Sequence, residues 1–212
     1  MRKTGIIIIS RKRYSLLASC LESVLDNSSG NVKIYVGCDS DDPQTKEVAK
    51  KYGATVAVAK PSINRHQSLL SPICQHVDCD YIFNINDDVE IQTKDFDIVI
   101  QETIEEFLKD KPDRIVYGRC NESWPPKYAP IKKNMEEHQG FKYACYPIMT
   151  RETVKCLGFF MPEEISNSGA DIELARVFNN LRGANIVPCQ PRCLDIPIKI
   201  YDCVGNPGDS EK

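Results

Sequence analysis

Hydrophobic positions along the chain alternate between short dense runs and longer runs with a helical period. Gly5-Ile-Ile-Ile-Ile9 has no polar interruption and reads as a strand buried on both faces. It passes through Ser10-Arg-Lys-Arg13 into a segment where Leu16, Leu17, Cys20, Leu21, Val24 and Leu25 recur at helical spacing, closed by the turn residues Asn27 to Asn31. Val32–Val36 predicts a second strand, ending at Gly37-Cys-Asp-Ser-Asp-Asp42. Pro43 suits the first turn of a helix reaching about Tyr52, and Gly53 stops it. Thr55–Ala59 predicts a third strand, and Arg65–His76 a helix after the loop opened by Pro61.

Tyr81-Ile-Phe-Asn-Ile-Asn-Asp-Asp-Val-Glu90 follows. Its first half reads as a buried strand, and its second half as that strand's polar carboxyl-terminal lip. A helix over about Phe96–Leu108 carries Ile98, Val99, Ile104, Phe107 and Leu108, and Ile115–Cys120 predicts a fifth strand. Residues 121–140 lose all periodicity and are Pro-rich, with Trp124 and Tyr128, so a long loop or lid is expected there. Structure resumes over Phe141–Met149, with helices from Thr150 to Leu157 and from about Ala170 to Leu181. The Gly/Asp/Pro-rich stretch after Tyr201 is expected to fray and shows no sign of a natural domain end, as in a piece of a larger protein. This alternation of buried-type strands and helices predicts an α/β fold, a mostly parallel sheet covered by helices on both faces.

Composition narrows the class of partner. The 212 residues fit one large domain or two small ones and can bury a real core. With 27 Lys and Arg against 30 Asp and Glu, interspersed rather than blocked, the chain does not read as a nucleic-acid binder. Of its ten cysteines, Cys20, Cys38, Cys74, Cys145 and Cys156 fall within apolar segments, where a free thiol behaves as a small hydrophobe. Cys74/Cys79 and Cys189/Cys193 are spaced only loosely like metal ligands, and no CxxC pair exists. A reduced, cytoplasmic protein is the expectation. Four isoleucines are too few for a signal-peptide core, and no run approaches the length of a membrane span.

The candidate chemistry lies in carboxylates. Asp39/Asp41/Asp42 follow the second strand, Asn86/Asp87/Asp88/Glu90 follow the fourth, and Asp171/Glu173 open a helix. In an open α/β sheet the carboxyl ends of the strands line one crevice, so the first two clusters should meet a common ligand. Ser10-Arg11-Lys12-Arg13 and Asn64-Arg65-His66 bring positive charge to the same edge. Acids for a divalent metal and ribose hydroxyls, with arginines for a pyrophosphate, describe a nucleotide-diphosphate site. Blander readings remain open for each member: Asp39–Asp42 and Asp171 as helix-capping acids, Arg11–Arg13 as a solvated turn, Arg65 as a surface residue. His66, His76 and His138 read as surface or structural. Asp78-Cys-Asp80 has a DxD spelling but precedes its strand and belongs to the opposite edge. No GxGxxG, GxxxxGK[ST] or GxSxG motif is present, which argues against a dinucleotide oxidoreductase, a P-loop NTPase and a serine hydrolase.

These residues resemble the GT-A class of nucleotide-sugar glycosyltransferases, specifically family 2, over roughly residues 4–190. Ile6-Ile-Ile-Ile-Ser-Arg-Lys-Arg13 with Cys20-Leu-Glu-Ser-Val-Leu25 resembles the family's opening strand and helix. Val36-Gly-Cys-Asp-Ser-Asp-Asp42 with Thr45 is similar to its nucleoside-contacting turn. Asn86-Asp87-Asp88 falls at its DxD metal motif, and Gly158-Phe-Phe160 with Gly169-Ala-Asp-Ile-Glu-Leu174 and Arg176 is similar to the stretch carrying its catalytic base. Two departures stand out: Asn86 replaces the first acid of the DxD, and Ala170 replaces the Glu usual before the base. No histidine follows Asp171, so the late metal-binding histidine of some relatives is absent.

The resemblance implies one GT-A domain over 1–203, with a flexible tail over 204–212. It implies transfer of a sugar from a nucleoside-diphosphate donor, UDP by expectation, to a glycan or glycoprotein hydroxyl. Asp88 would hold Mn²⁺ or Mg²⁺. Ser10, Arg11, Arg13, Asp39, Arg65, Asn86 and Asp87 would contact the donor, and Asp171 would be the base. Trp124 would stack on an acceptor sugar, or else be a lone core tryptophan. A catalytically weak carbohydrate- or nucleotide-binding module and a sugar-phosphate nucleotidyltransferase are the alternatives, though the latter ordinarily has a Gly-rich loop near its first strand.

Overall fold

The computed structural model describes residues 2–61, 65–123, 144–160, 170–183 and 194–202. Among these residues eight strands form one sheet: β1 (Thr4–Ile9), β2 (Val32–Asp39), β3 (Thr55–Ala59), β4 (Tyr81–Asn86), β5 (Val89–Ile91), β6 (Tyr117–Ser123), β7 (Pro147–Thr150) and β8 (Leu194–Asp202). Among the described residues six helices cover it: α1 (Tyr14–Asn27), α2 (Pro43–Lys51), α3 (Arg65–His76), α4 (Phe96–Leu108), α5 (Arg151–Leu157) and α6 (Ala170–Gly183). The order across the sheet is β3-β2-β1-β4-β7-β6-β8-β5. β3, β2, β1 and β4 are parallel neighbours, β7 runs antiparallel between β4 and β6, and β5 runs antiparallel to β8. The result is the expected mostly parallel α/β sheet with helices on both faces.

The isoleucine run explains the layering. Successive strand side chains point to opposite faces, so an uninterrupted apolar strand demands cover on both. Ile6 and Ile8 pack with Leu17, Leu21 and Val24 of α1, Ala49 of α2 and Ile100 and Ile104 of α4. Ile7 and Ile9 pack with Leu69, Leu70 and Ile73 of α3, Val154 of α5 and Leu174 and Ala175 of α6. Ile6, Ile7 and Ile8 are fully buried, each contributing roughly 2 kcal/mol of transfer free energy. Gly37 lets α3 approach: a Cβ there would stand 2.6 Å from Ile9 Cδ1 and 3.1 Å from Ile73 Cδ1.

The fold differs from the sequence expectation in four places. β2 runs on to Asp39 rather than ending at Val36. The fifth expected strand starts at Tyr117 instead of Ile115, and continues to Ser123, inside the stretch expected to be a lid. Arg114 there has a positive φ of 55°, and the Val116 N–H donates to Thr153 Oγ1 at 2.7 Å, so a side chain of α5 takes the place of a ladder partner. Two strands were not expected at all. β5 has only three residues, too few for alternation to show. β8 alternates buried Ile196, Ile198 and Ile200 with exposed Asp195, Pro197 and Lys199, and it carries Asp202 as a paired strand residue rather than as the start of a frayed tail. Residues 203–212, Trp124, His138, Cys189 and Cys193 lie outside the described residues.

Candidate functional site

Register gathers the carboxyl ends of three strands at one edge. Ile9 lies level with Gly37 on one side and Asn86 on the other, so Ser10–Arg13, the last β2 residues Cys38 and Asp39 with the turn over Ser40–Asp42, and Asp87–Asp88 all lie at one edge of the sheet. Asp87 and Asp88 are the two-residue joint between β4, in mid-sheet, and β5, at the far end of the strand order. The sheet therefore curls at this edge. Because Val89 pairs with Asp202, the end of β8 arrives beside the same joint.

Asp42 organises the turn after β1. Its carboxylate accepts from the Lys12 N–H at 2.8 Å, Tyr14 Oη at 3.2 Å, the Thr45 N–H at 3.2 Å and Thr45 Oγ1 at 2.6 Å. Burial alone would raise its pKa, but these donors outweigh it and hold the carboxyl below its usual range. Asp42 is thus the N-cap of α2, and the capping alternative is correct for this residue. Its bond to Lys12 also supports a non-glycine residue at φ 53°, a conformation that costs of order 1–2 kcal/mol. With Lys12 held in that turn, its two arginine neighbours reach separate carboxylate pairs. Arg11 bonds Asp39, whose side chain is fully buried, and reaches Asp41 at 2.9 Å. Arg13, at the N-cap of α1, reaches Asp87 at 2.7 Å and Asp88 at 2.6 Å.

The Asp87–Asp88 joint is strongly charged for its burial. Asp87 accepts from Ser10 Oγ at 2.6 Å, is ion-paired with Arg13, and is only 2% exposed. Burial pushes its carboxyl up to about 6; Ser10 and Arg13 pull against this, and Asp88 adds to the rise. Asp88 bonds Arg13 through Oδ2, while its Oδ1 is buried without a hydrogen-bond partner among the described residues. Asp202, 7% exposed, accepts from Tyr146 Oη at 2.5 Å and lies in the field of Arg13. Burial would lower the Arg13 pKa, but Asp88, Asp87 and Asp202 outweigh it and keep the guanidinium charged. Burial pushes the Tyr146 phenol well up, and the charges of Asp202 and Asp88 push it further.

Of the residues expected at the site, Ser10, Arg11, Arg13, Asp39, Asn86, Asp87 and Asp88 meet at this edge. Asp171 lies in the first turn of α6, half-buried, and α6 packs through Leu174 and Ala175 on the face that also carries Ile9. Arg65 opens α3, but its side chain is outside the described residues, as is all of Trp124. Tyr146 and Asp202 were missed. The signal for Asp202 was the alternation of β8 preceding it; nothing local marked Tyr146. Cys156, expected to be apolar filling, is exposed, whereas Cys20, Cys38, Cys74, Cys79 and Cys120 are buried. Burial pushes the Cys74 thiol up, opposing the thiolate form a metal needs.

The unbonded Asp88 oxygen fits a hard divalent cation, which prefers oxygen ligands. Among the described residues no three His, Cys, Asp or Glu side chains converge as a metal cage, and no helix is long and apolar enough to cross a membrane.

A charged crevice at the carboxyl edge of a GT-A sheet defines the fold class of nucleotide-sugar transferases. The model of the family described as Glycosyl transferase family 2 matches residues 5–161, and the chain belongs to that family. No curated protein matches it significantly by sequence. Among solved structures it is similar to TarS 1-349 of S. aureus in complex with UDP-GlcNAc, at 11% identity and a TM-score of 0.67 over 99% of this chain and 61% of that one. It is also similar to the mannosyltransferase PcManGT of Pyrobaculum calidifontis in complex with GDP-Man and Mn²⁺, at 13% identity and a TM-score of 0.64 over 98% and 58%. A third is glucosyl-3-phosphoglycerate synthase of Mycobacterium tuberculosis with Mn²⁺, UDP and glucosyl-3-phosphoglycerate, at 13% identity and a TM-score of 0.59 over 93% and 70%. The chain thus spans about 60% of the length of the TarS fragment.

Proposed function

We propose that the chain transfers a sugar from a nucleoside-diphosphate donor, UDP by preference, to a hydroxyl of a glycan or glycoprotein, using a divalent ion held on Asp88. The observation that carries this reading is the Asp87–Asp88 joint: two adjacent carboxylates at the crevice edge, one with a buried oxygen that no described residue satisfies. Family membership supports the reading, and so do the UDP and Mn²⁺ bound by the similar structures. A bound Mn²⁺ or Mg²⁺ supplies Lewis-acid stabilisation of the diphosphate as it leaves.

The chain's own groups then divide the work. Asp39, fixed by Arg11, contacts the nucleoside, Asn86 and Asp87 line the donor's path, and Arg65 contacts the donor. Asp171 accepts the proton of the acceptor hydroxyl as that oxygen bonds the anomeric carbon and the bond from sugar to diphosphate breaks. Trp124 offers a flat apolar face to the acceptor ring. Product analysis with a panel of UDP- and GDP-sugars and Mn²⁺ tests the activity: nucleotide release with at least one donor is expected. Binding of every donor without turnover would instead mark a carbohydrate- or nucleotide-binding module. Asp171→Asn should lower transfer by about 10²–10⁴-fold with donor affinity kept; a near wild-type rate removes Asp171 from the role of base.

A further inference from the structure

We propose that Arg13 competes with the divalent ion for Asp88 and thereby sets the metal affinity of the site. The inference rests on the metal-dependent reading above and deepens it. The Arg13 fork is not paired with one carboxylate. Its Nη1 lies 2.7 Å from Asp87 Oδ1 and its Nη2 2.6 Å from Asp88 Oδ2, so one guanidinium bridges the two acids. A cation on Asp88 takes Oδ1, Oδ2 or both. On Oδ2 it meets Nη2 directly, and on Oδ1 it stands next to a second positive charge across one carboxylate.

Asp87 does not depend on Arg13 alone, because Ser10 Oγ holds its other oxygen at 2.6 Å. The arginine also has somewhere to go. Its side chain is a third exposed, and Asp202, fixed by Tyr146 at 2.5 Å, already lies in its field. Three carboxylates face one guanidinium there, an excess of two negative charges that a single divalent ion balances. An arginine displaced from Asp88 is thus still attracted by Asp87 and Asp202, and it stays at the crevice beside an incoming diphosphate.

The test is calorimetric titration of MnCl₂ into the protein without nucleotide, comparing wild type, Arg13→Gln and Asp88→Asn. Competition predicts that Arg13→Gln binds Mn²⁺ about 30-fold tighter, the factor expected from removing one positive charge some 4 Å from a divalent ion in water. Unchanged or weaker binding by Arg13→Gln, with Asp88→Asn defective, overturns the competition and leaves the metal reading standing. Full Mn²⁺ affinity in Asp88→Asn overturns both. Should Arg13→Gln lose its fold, the wild-type protein still decides. The Arg13 Nε–Hε resonance should shift on addition of diamagnetic Mg²⁺, and a resonance unmoved at Mg²⁺ saturation contradicts the proposal.

Discussion

Both ends of β4 carry charge clusters, and they are built oppositely. At the amino end, Glu105 sits among donors: it bonds Arg2, Tyr81 Oη at 2.5 Å and Arg114 at 2.5 and 3.3 Å. One half-exposed carboxylate serves two guanidiniums and a buried phenol. At the carboxyl end, three acids face Arg13, and a buried carboxylate oxygen of Asp88 goes without a hydrogen bond among the described residues. The first arrangement closes the sheet against α4. The second leaves negative charge uncompensated where the strands open, which costs folding free energy and suits the binding of a cation.

The largest effect should come from Asp88→Ala, which is expected to lower sugar transfer by about 10²-fold or more with thermal stability unchanged or raised. A loss of fold with activity per folded molecule preserved would assign Asp88 to structure. Glu105→Ala should show the reverse: about 1–2 kcal/mol of stability lost in urea titrations, a figure discounted for partial exposure, with kcat/KM per folded molecule unchanged. Activity lost without destabilisation would erase the distinction between the two ends.

Asp42→Asn should be the subtlest. A carboxyl whose pKa is lowered on folding contributes stability above its unfolded value, and this contribution disappears as pH falls through the folded one. Because hydrogen bonds to a charged acceptor are the stronger ones, the variant should be roughly 1 kcal/mol less stable at pH 7, with the gap closing below about pH 4. A gap independent of pH would mean that the hydrogen-bond geometry, not the charge, is what Asp42 contributes.

The amino-terminal half was legible because its signals are local. The isoleucine run, the α1 periodicity, Pro43 at the start of α2 and Gly53 after it each act through neighbours in sequence, and parallel strands with right-handed crossovers leave little choice of topology. The carboxyl-edge crevice follows from that topology, which is why the sequence pattern alone groups Ser10, Arg13, Asp39, Asp87 and Asp88. What stayed hidden depends on long-range pairing. β5 exists because β8 returns antiparallel to it, more than a hundred residues later, and only that pairing brings Asp202 to Asp88. Tyr146 became a site neighbour through the same return. Sequence also could not apportion the acids: Asp42 is a cap, whereas Asp39 is bound to Arg11, and only two residues lie between them.

The central claim is that Asp88 binds a donor diphosphate through a divalent ion, and titration of UDP with and without Mn²⁺ tests it most directly. The account predicts that wild-type protein binds UDP measurably with Mn²⁺ and at least 10-fold more weakly with EDTA, and that Asp88→Ala abolishes the difference. Equal UDP affinity in EDTA, or a Mn²⁺ dependence that survives in Asp88→Ala, would contradict it.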